Sequence, residues 1–404
     1  MKKIIKISLL PILCTATLLS ASEELSTVNQ FTKMFTDGKV SGEVRTVYAG
    51  YDMKAKGTED NYATALGGML KYELARYKGF GAGMAVTTSY DLGFATGDKE
   101  KQNSELSSSD GDYTNLTEAY LDYIYNDLTL RVGRQVVDTP LADSDDARMI
   151  QNTFEAFMAY YELNEFSFTL GYLNRWQGVD TGLEDGWIDA KVDDTDGDGV
   201  ALVGVTYSGL VDANAWYYNV DEGFDAYYLD VSYNYEYSEN ISVGLSTQYL
   251  SENEKSKSGI EADIYGVMAE VSLYDFGVNL AYNYGDRKDS KTSFAGFGGG
   301  TLFTSMDTMT LDGIIEDREV ESIMASLSYS MKNFDFSYAY GDFQGKKNSD
   351  GDKAHIVEQN FGVEYNFNDK FSGGVMFVIE DDKENSEKTE SDFNRLQVTA
   401  KYNF

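Results

Sequence analysis

Along most of this chain apolar and polar residues alternate with a period of two. Tyr227, Leu229, Val231, Tyr233, Tyr235 and Tyr237 take one parity, while Tyr228, Asp230, Ser232, Asn234 and Glu236 take the other. A strand sends successive side chains to opposite faces, so this stretch has one apolar and one polar wall. After a break at 238–240 the alternation resumes with Ile241, Val243, Leu245, Thr247 and Tyr249, which predicts an antiparallel hairpin. The chain ends the same way: Leu396, Val398, Ala400, Tyr402 and Phe404 oppose Gln397, Thr399, Lys401 and Asn403.

The pattern predicts strands at 40–51, 62–76, 80–91, 114–125, 128–136, 153–163 and 165–175. It continues at 199–208, 211–220, 224–237, 241–250, 261–273 and 276–285, and closes at 319–331, 334–343, 355–367, 371–380 and 391–404. Most are near the roughly 9–11 residues that a tilted strand needs to cross a bilayer. Every second connection is a tight turn, as at Asn126, Asn164, Tyr274 and Lys332, and the connections between them are mostly long and polar. Short periplasmic turns and long external loops are the asymmetry of an outer-membrane barrel with both termini in the periplasm. No fixed-length repeat points to a solenoid. Before the sheet, Leu25, Val28, Phe31 and Met34 or Phe35 space one short amphipathic helix within a periplasmic segment at 22–39.

An open sheet in hydrocarbon would leave edge N–H and C=O groups unpaired at several kcal/mol each, so such strands must close. The expected fold is therefore all-β: a transmembrane antiparallel β-barrel of about 18 strands over 40–404. A cylinder of that width encloses water, and its polar parity becomes a lining. Glu43, Arg45, Lys71, Glu73, Glu118, Asp122, Arg131, Arg175, Asp230, Glu236, Arg395 and Lys401 are the charged candidates on that wall.

Composition sharpens this picture. The 31 tyrosines and 22 phenylalanines suit aromatic girdles at the two bilayer interfaces, and only 2 prolines are present. A mean hydropathy of −0.39 does not oppose a barrel, because only alternate strand residues meet lipid. Lys2, Lys3 and Lys6 before an apolar run at 7–19, then Ser20, Ala21 and Ser22, describe a signal peptide over residues 1–21. The single cysteine, Cys14, falls inside it, which leaves the mature chain no thiol for a disulfide or a metal. With 67 acidic against 33 basic residues the formal charge is −34, which excludes nucleic acid as a partner.

Selectivity in such a channel needs a constriction. The third long loop, 137–152, is the candidate, since it follows a strand carrying Arg131 and Arg134 and holds Asp138, Asp143, Asp145, Asp146 and Arg148. Folded inward, it would set carboxylates opposite wall arginines and create a transverse field across an eyelet. Read as an ordinary surface loop, the same residues would be solvated charge.

Gly133, Arg134, Gln135, Thr139, Pro140 and Leu141, with Arg148, Phe154 and Glu155, resemble the region of the third loop in OprD-like porins and the related campylobacterial major porins. Phe297, Gly298, Gly299, Gly300, Thr304, Ser305 and Met306 resemble a late loop of that group, and Asp37, Gly38, Lys39, Val40, Gly42 and Arg45 its opening strand. The resemblance covers essentially the whole mature chain. It implies an eighteen-stranded diffusion channel in the Gram-negative outer membrane, some relatives favouring amino acids or small carboxylates through a ladder of basic lumen residues. Here that ladder would be Arg45, Arg131, Arg134 and Arg175, with Arg395 and Lys401.

Other chemistry finds less support. Asp194, Asp196, Asp198 and Gly199 spell the opening of a calcium loop, but Val205 stands where the bidentate Glu belongs, so a Ca2+ ion and a plain acidic loop are both open readings. No cofactor is required. His355 is the only histidine and no G-x-S-x-G is present, so no enzyme is expected. The expected function is passive diffusion of small hydrophilic solutes with mild cation preference. The alternative is a structural or adhesive protein whose barrel anchors acidic loops. Partners would be outer-membrane lipid, lipopolysaccharide and the solutes. An outward apolar face suits a homotrimer neighbour as well as lipid.

Overall fold

The computed structural model describes residues 21–93, 101, 103–107, 111–182, 186–288, 291–294, 296–311, 315, 318–348 and 350–404. The leader, with Cys14, lies outside them except for Ala21. A 16-residue helix, α1 (Ala21–Thr36), precedes β1 (Lys39–Met53), β2 (Asn61–Glu73), β3 (Phe80–Asp91), β4 (Tyr113–Tyr125), β5 (Leu128–Gln135), β6 (Thr153–Leu163) and β7 (Phe166–Gln177). Then come the two-residue β8 (Ile188–Asp189), β9 (Val200–Ser208), β10 (Asp212–Val220), β11 (Phe224–Ser238), β12 (Ile241–Glu254) and β13 (Ala262–Leu273). The chain finishes with β14 (Phe276–Arg287), β15 (Val320–Met331), β16 (Phe334–Gly345), β17 (Ala354–Asn368), β18 (Phe371–Asp382) and β19 (Phe393–Asn403).

Every long strand pairs antiparallel with its sequence neighbours, and β1 pairs with β19 from Glu43 opposite Asn403 to Met53 opposite Phe393. The sheet therefore closes into a barrel of eighteen long strands, β8 being a short addition to the outer end of β7. Phe404 completes the seam by exchanging both backbone hydrogen bonds with Gly42. Closure leaves no edge for lipid to meet.

The two faces follow from parity. On β11, Tyr227, Leu229, Val231, Tyr233 and Tyr235 are exposed outward, while Ala226 and Tyr228 are buried inward. Outward aromatics meet across strands near the short-turn end, Phe276 with Tyr329 at 4.4 Å and Phe334 with Tyr365 at 4.5 Å, as a girdle requires. The two-residue turns there use left-handed residues: Asn126, Asn164, Tyr274 and Lys332 have φ of 49°, 52°, 54° and 55°. Helix α1 sits at the same end, its Met34 carbonyl accepting the Ala75 N–H at 2.9 Å.

The inward face departs from a uniformly polar lining. Toward the long-loop end it carries Phe154, Met158, Leu173, Leu202, Phe224, Leu250, Ile264 and Phe343, all buried, and loops, chiefly two of them, pack against that core. Val137, Leu141 and Ala142 come from the third loop, and Phe297, Leu302 and Leu311 from the seventh, between β14 and β15. A second cluster joins Leu106 of the second loop and Met149 and Ile150 of the third to Val47, Ala49, Ala63 and Ala65 on β1 and β2. Each large apolar side chain buried this way contributes about 1.5–3 kcal/mol, so the loops are packed into the lumen rather than draped over its mouth.

Candidate functional site

The third loop meets the wall at the closing seam. Arg45 of β1 donates from Nη1 to the Arg148 carbonyl at 2.5 Å and pairs with Asp146 at 2.8 Å and Glu43 at 2.7 Å. Lys401 of β19 reaches the same Glu43 at 2.6 Å and Asp146 at 3.7 Å. Arg45 is only 3% exposed, and a buried guanidinium must be fully compensated. The two carboxylates meet its charge through Nη1 and Nη2, while its Nε is buried without a hydrogen-bond partner among the described residues.

Six residues from Lys401 toward the long-loop end, Arg395 of β19 is fully buried and joins two other loops. Its Nη1 pairs with Asp307 of the seventh loop, and its Nη2 lies 3.5 Å from Glu105 of the second. Glu105 in turn accepts from Arg148 Nε at 3.1 Å and from the Tyr51 hydroxyl at 2.6 Å. Three loops thus converge on one wall. The third and seventh also pair directly: Asp143 N–H donates to Phe297 O at 3.1 Å, and Phe297 N–H to Leu141 O at 2.9 Å. Gly298 and Gly299 permit this approach with φ of 83° and 69°, and a Cβ on Gly298 would lie 2.2 Å from Asn152 Nδ2.

The remaining third-loop carboxylates face the other way. Asp138, Asp143 and Asp145 line a cavity of about 580 Å³ together with Asp230, Trp216, Tyr228 and the 299–301 backbone. Among the described residues none of these four carboxylates has a basic ion-pair partner. Burial, with Asp180 and then Asp143 and Asp307 nearby, pushes the Asp145 carboxyl up to about 6 against the opposing pull of Arg148. Burial also raises Asp180, although Asn152 donates to it at 2.6 Å. A second cavity, about 530 Å³, lies against the seam and is lined by Arg45, Asp146, Lys401 and a wall of small residues that includes Ser328, Ser337, Gly362 and Gly374.

The wall arginines divide. Arg131 points inward, over the Tyr120 ring at 4.1 Å and 3.4 Å from Asp122, which also binds Arg76. Arg134 and Arg175 do not line the lumen. Arg134 is two residues from Val132, whose partners Leu121 and Phe157 are lipid-facing, and its own partner Glu155 shares that outward parity. Arg175 joins the outer face because a bulge at Asn174 reverses the register after inward Leu173. Both bind Glu155, at 3.3 and 2.6 Å, and Arg134 stacks 4.6 Å from Trp187. They form a rim cluster outside the barrel. Of the third-loop carboxylates Asp146 opposes Arg45, Arg395 is met by carboxylates of the second and seventh loops, and among the described residues no third-loop carboxylate pairs with Arg134 or Arg175.

Asp194, Asp196 and Asp198 are all exposed, and among the described residues no three carboxylates group as a metal site. Their turn is held by Asp221, which accepts the Asp198 N–H at 3.2 Å. His355 faces outward beside Asp342, 3.3 Å away. Sequence reasoning missed Glu105, Asp307 and Glu358. The apolar residues Leu106, Phe297, Leu302 and Leu311, set in otherwise polar loops, were the available signal that these loops turn inward.

The barrel has close structural counterparts. OccAB2 of Acinetobacter baumannii superposes with a TM-score of 0.79 at 14% identity, covering 92% of this chain and 99% of that one. OccK9 (OpdG) of Pseudomonas aeruginosa gives 0.79 at 13%, over 92% and 99%. OpdK of the same organism, solved with vanillate, gives 0.78 at 15%, over 91% and 99%. At such identities the likeness is one of fold. No curated protein matches the chain. The family model described as outer membrane porin, OprD family, matches residues 32–404. A closed eighteen-strand barrel with a lipid-facing exterior, a loop-narrowed lumen and that family match together place the chain in the OprD family of outer membrane porins, in the Gram-negative outer membrane.

Proposed function

We propose that this porin passes small hydrophilic solutes by passive diffusion and favours cations. The observation that carries the reading is the imbalance of unpaired charge inside the barrel. Arg45, Arg131, Arg395 and Lys401 each already hold a carboxylate partner, whereas Asp138, Asp143, Asp145 and Asp230 around the 580 Å³ cavity hold no basic one among the described residues. Wall charges in a narrow, low-dielectric passage act on a passing ion far more than the same charges in bulk water. Carboxylates with no counter-charge raise the local cation concentration and repel anions. A carboxylate solute, such as the vanillate bound by OpdK, would have to displace an existing ion pair to reach an arginine here.

Transport needs no covalent step. The third and seventh loops narrow the lumen, and the solute exchanges part of its hydration shell for wall oxygens. Liposome swelling with size-matched ammonium, neutral and carboxylate solutes tests this. The expected order of rates is cation, then neutral, then anion; carboxylates entering first would refute the preference, and rates no higher than in protein-free liposomes would refute the channel.

A further inference from the structure

The seventh loop has no covalent reason to stay in the lumen, yet one wall residue binds its backbone at three consecutive positions. Glu358, on the inward face of β17 and fully buried, accepts the N–H groups of Asp307 at 3.0 Å and Thr308 at 3.2 Å through Oε1. Its Oε2 accepts the Met309 N–H at 2.6 Å and lies 2.8 Å from the Thr308 hydroxyl, which is also 3.0 Å from Glu380. Among the described residues no lysine or arginine pairs with Glu358. Its charge is met by peptide dipoles of the loop instead, in the manner of an anion held by successive backbone N–H groups.

The consequence is positional. Pinning 307–309 fixes the Asp307 carboxylate against Arg395, and Arg395 is the wall group that also faces Glu105 of the second loop. If the loop left, Arg395 would lose its nearest counter-charge and turn toward the water of the lumen. We propose that Glu358 is the positioning residue that latches the seventh loop inside the barrel and thereby sets both the bore and the charge of the constriction. The inference rests on the channel reading above. Glu358 would not touch the solute; it acts through Asp307 and Arg395.

The test uses the full mature chain refolded into planar bilayers, with Glu358→Gln as the variant. Gln keeps the shape but turns an amide NH2 toward the loop N–H groups, so one side of the cradle becomes repulsive. Single-channel conductance should rise as the loop leaves the passage. In a salt gradient the reversal potential should move toward zero, because Arg395 is uncovered. Glu358→Asp, which retains the carboxylate, should restore most of the parent selectivity, a rescue that a merely structural role does not predict. Should Glu358→Gln fail to fold, Thr308→Pro removes an N–H and the hydroxyl from the loop side with the wall intact, and the same two shifts are expected. A folded variant whose conductance and reversal potential equal the parent's overturns the latch alone. A parent that never conducts removes the channel reading with it.

Discussion

Arg45 and Lys401 are register partners on the first and last strands, and both bind Glu43 and Asp146. The place where the barrel closes is therefore also the place where the third loop is fastened. Closing the cylinder and narrowing it use one ion network.

Removing Arg45 should show this coupling. Arg45→Met leaves Glu43 and Asp146 with Lys401 alone, and losing the hydrogen bonds of a charged group costs on the order of 1.5–3 kcal/mol. The folded barrel should unfold at lower temperature, read from its heat-modifiable migration in gels, and its reversal potential should shift further toward cations. An unchanged potential would show that the third loop does not shape the pathway.

Acid should weaken cation preference. With its carboxyl pushed up to about 6, Asp145 loses its charge as pH falls through that value, and Asp180 is shifted the same way. Reversal potentials measured from pH 7.5 down to 5 should move toward zero, and Asp145→Asn should flatten that profile. The sign for stability is the reverse of the usual carboxylate. A folded-state value raised above the unfolded one adds stability that is fully present below about 3.9 and is lost as pH rises through about 6. The loops should therefore resist protease better at pH 5 than at pH 7.5.

Neutralising Arg134 should change little. Because Arg134 and Arg175 lie on the outer face, Arg134→Gln should leave the reversal potential within experimental error of the parent, while Asp143→Asn or Asp230→Asn reduces it. A large selectivity change in Arg134→Gln would place that side chain in the lumen after all.

Gly298→Val should separate the two inward loops. The new side chain would meet Asn152 and the Asp143 carbonyl at a φ of 83°, at a cost of roughly 1–3 kcal/mol. Noisier conductance with intact barrel folding is the expected record; quiet parent-like openings would contradict it.

Much of this was legible in the chain. Alternation located all eighteen long strands, because lipid and water on opposite walls impose opposite demands on neighbouring residues. It ended too early at the outer rim. β12 runs on to Glu254 and β14 to Arg287, since past the hydrocarbon the outward residues become polar while the hydrogen-bond ladder continues. Arg131 and Arg134 differ by an odd number, so parity alone already set them on opposite faces. Arg175 was different: only the bulge at Asn174 turns it outward, and no residue type there announces a bulge. The seventh loop was half legible. Its glycine run is visible, but Glu358, the wall group that receives it, lies some fifty residues later in a strand where, beside Glu364 on the same face, an inward glutamate looks like ordinary lining.

A single reversal-potential measurement bears most directly on the claim that water and uncompensated carboxylates share one sealed lumen. The refolded protein in a planar bilayer, under a tenfold KCl gradient at pH 7.5, should open in ohmic steps and reverse at a voltage of the sign set by K+. A reversal of the chloride sign, or a fully folded barrel that passes no current, would contradict it.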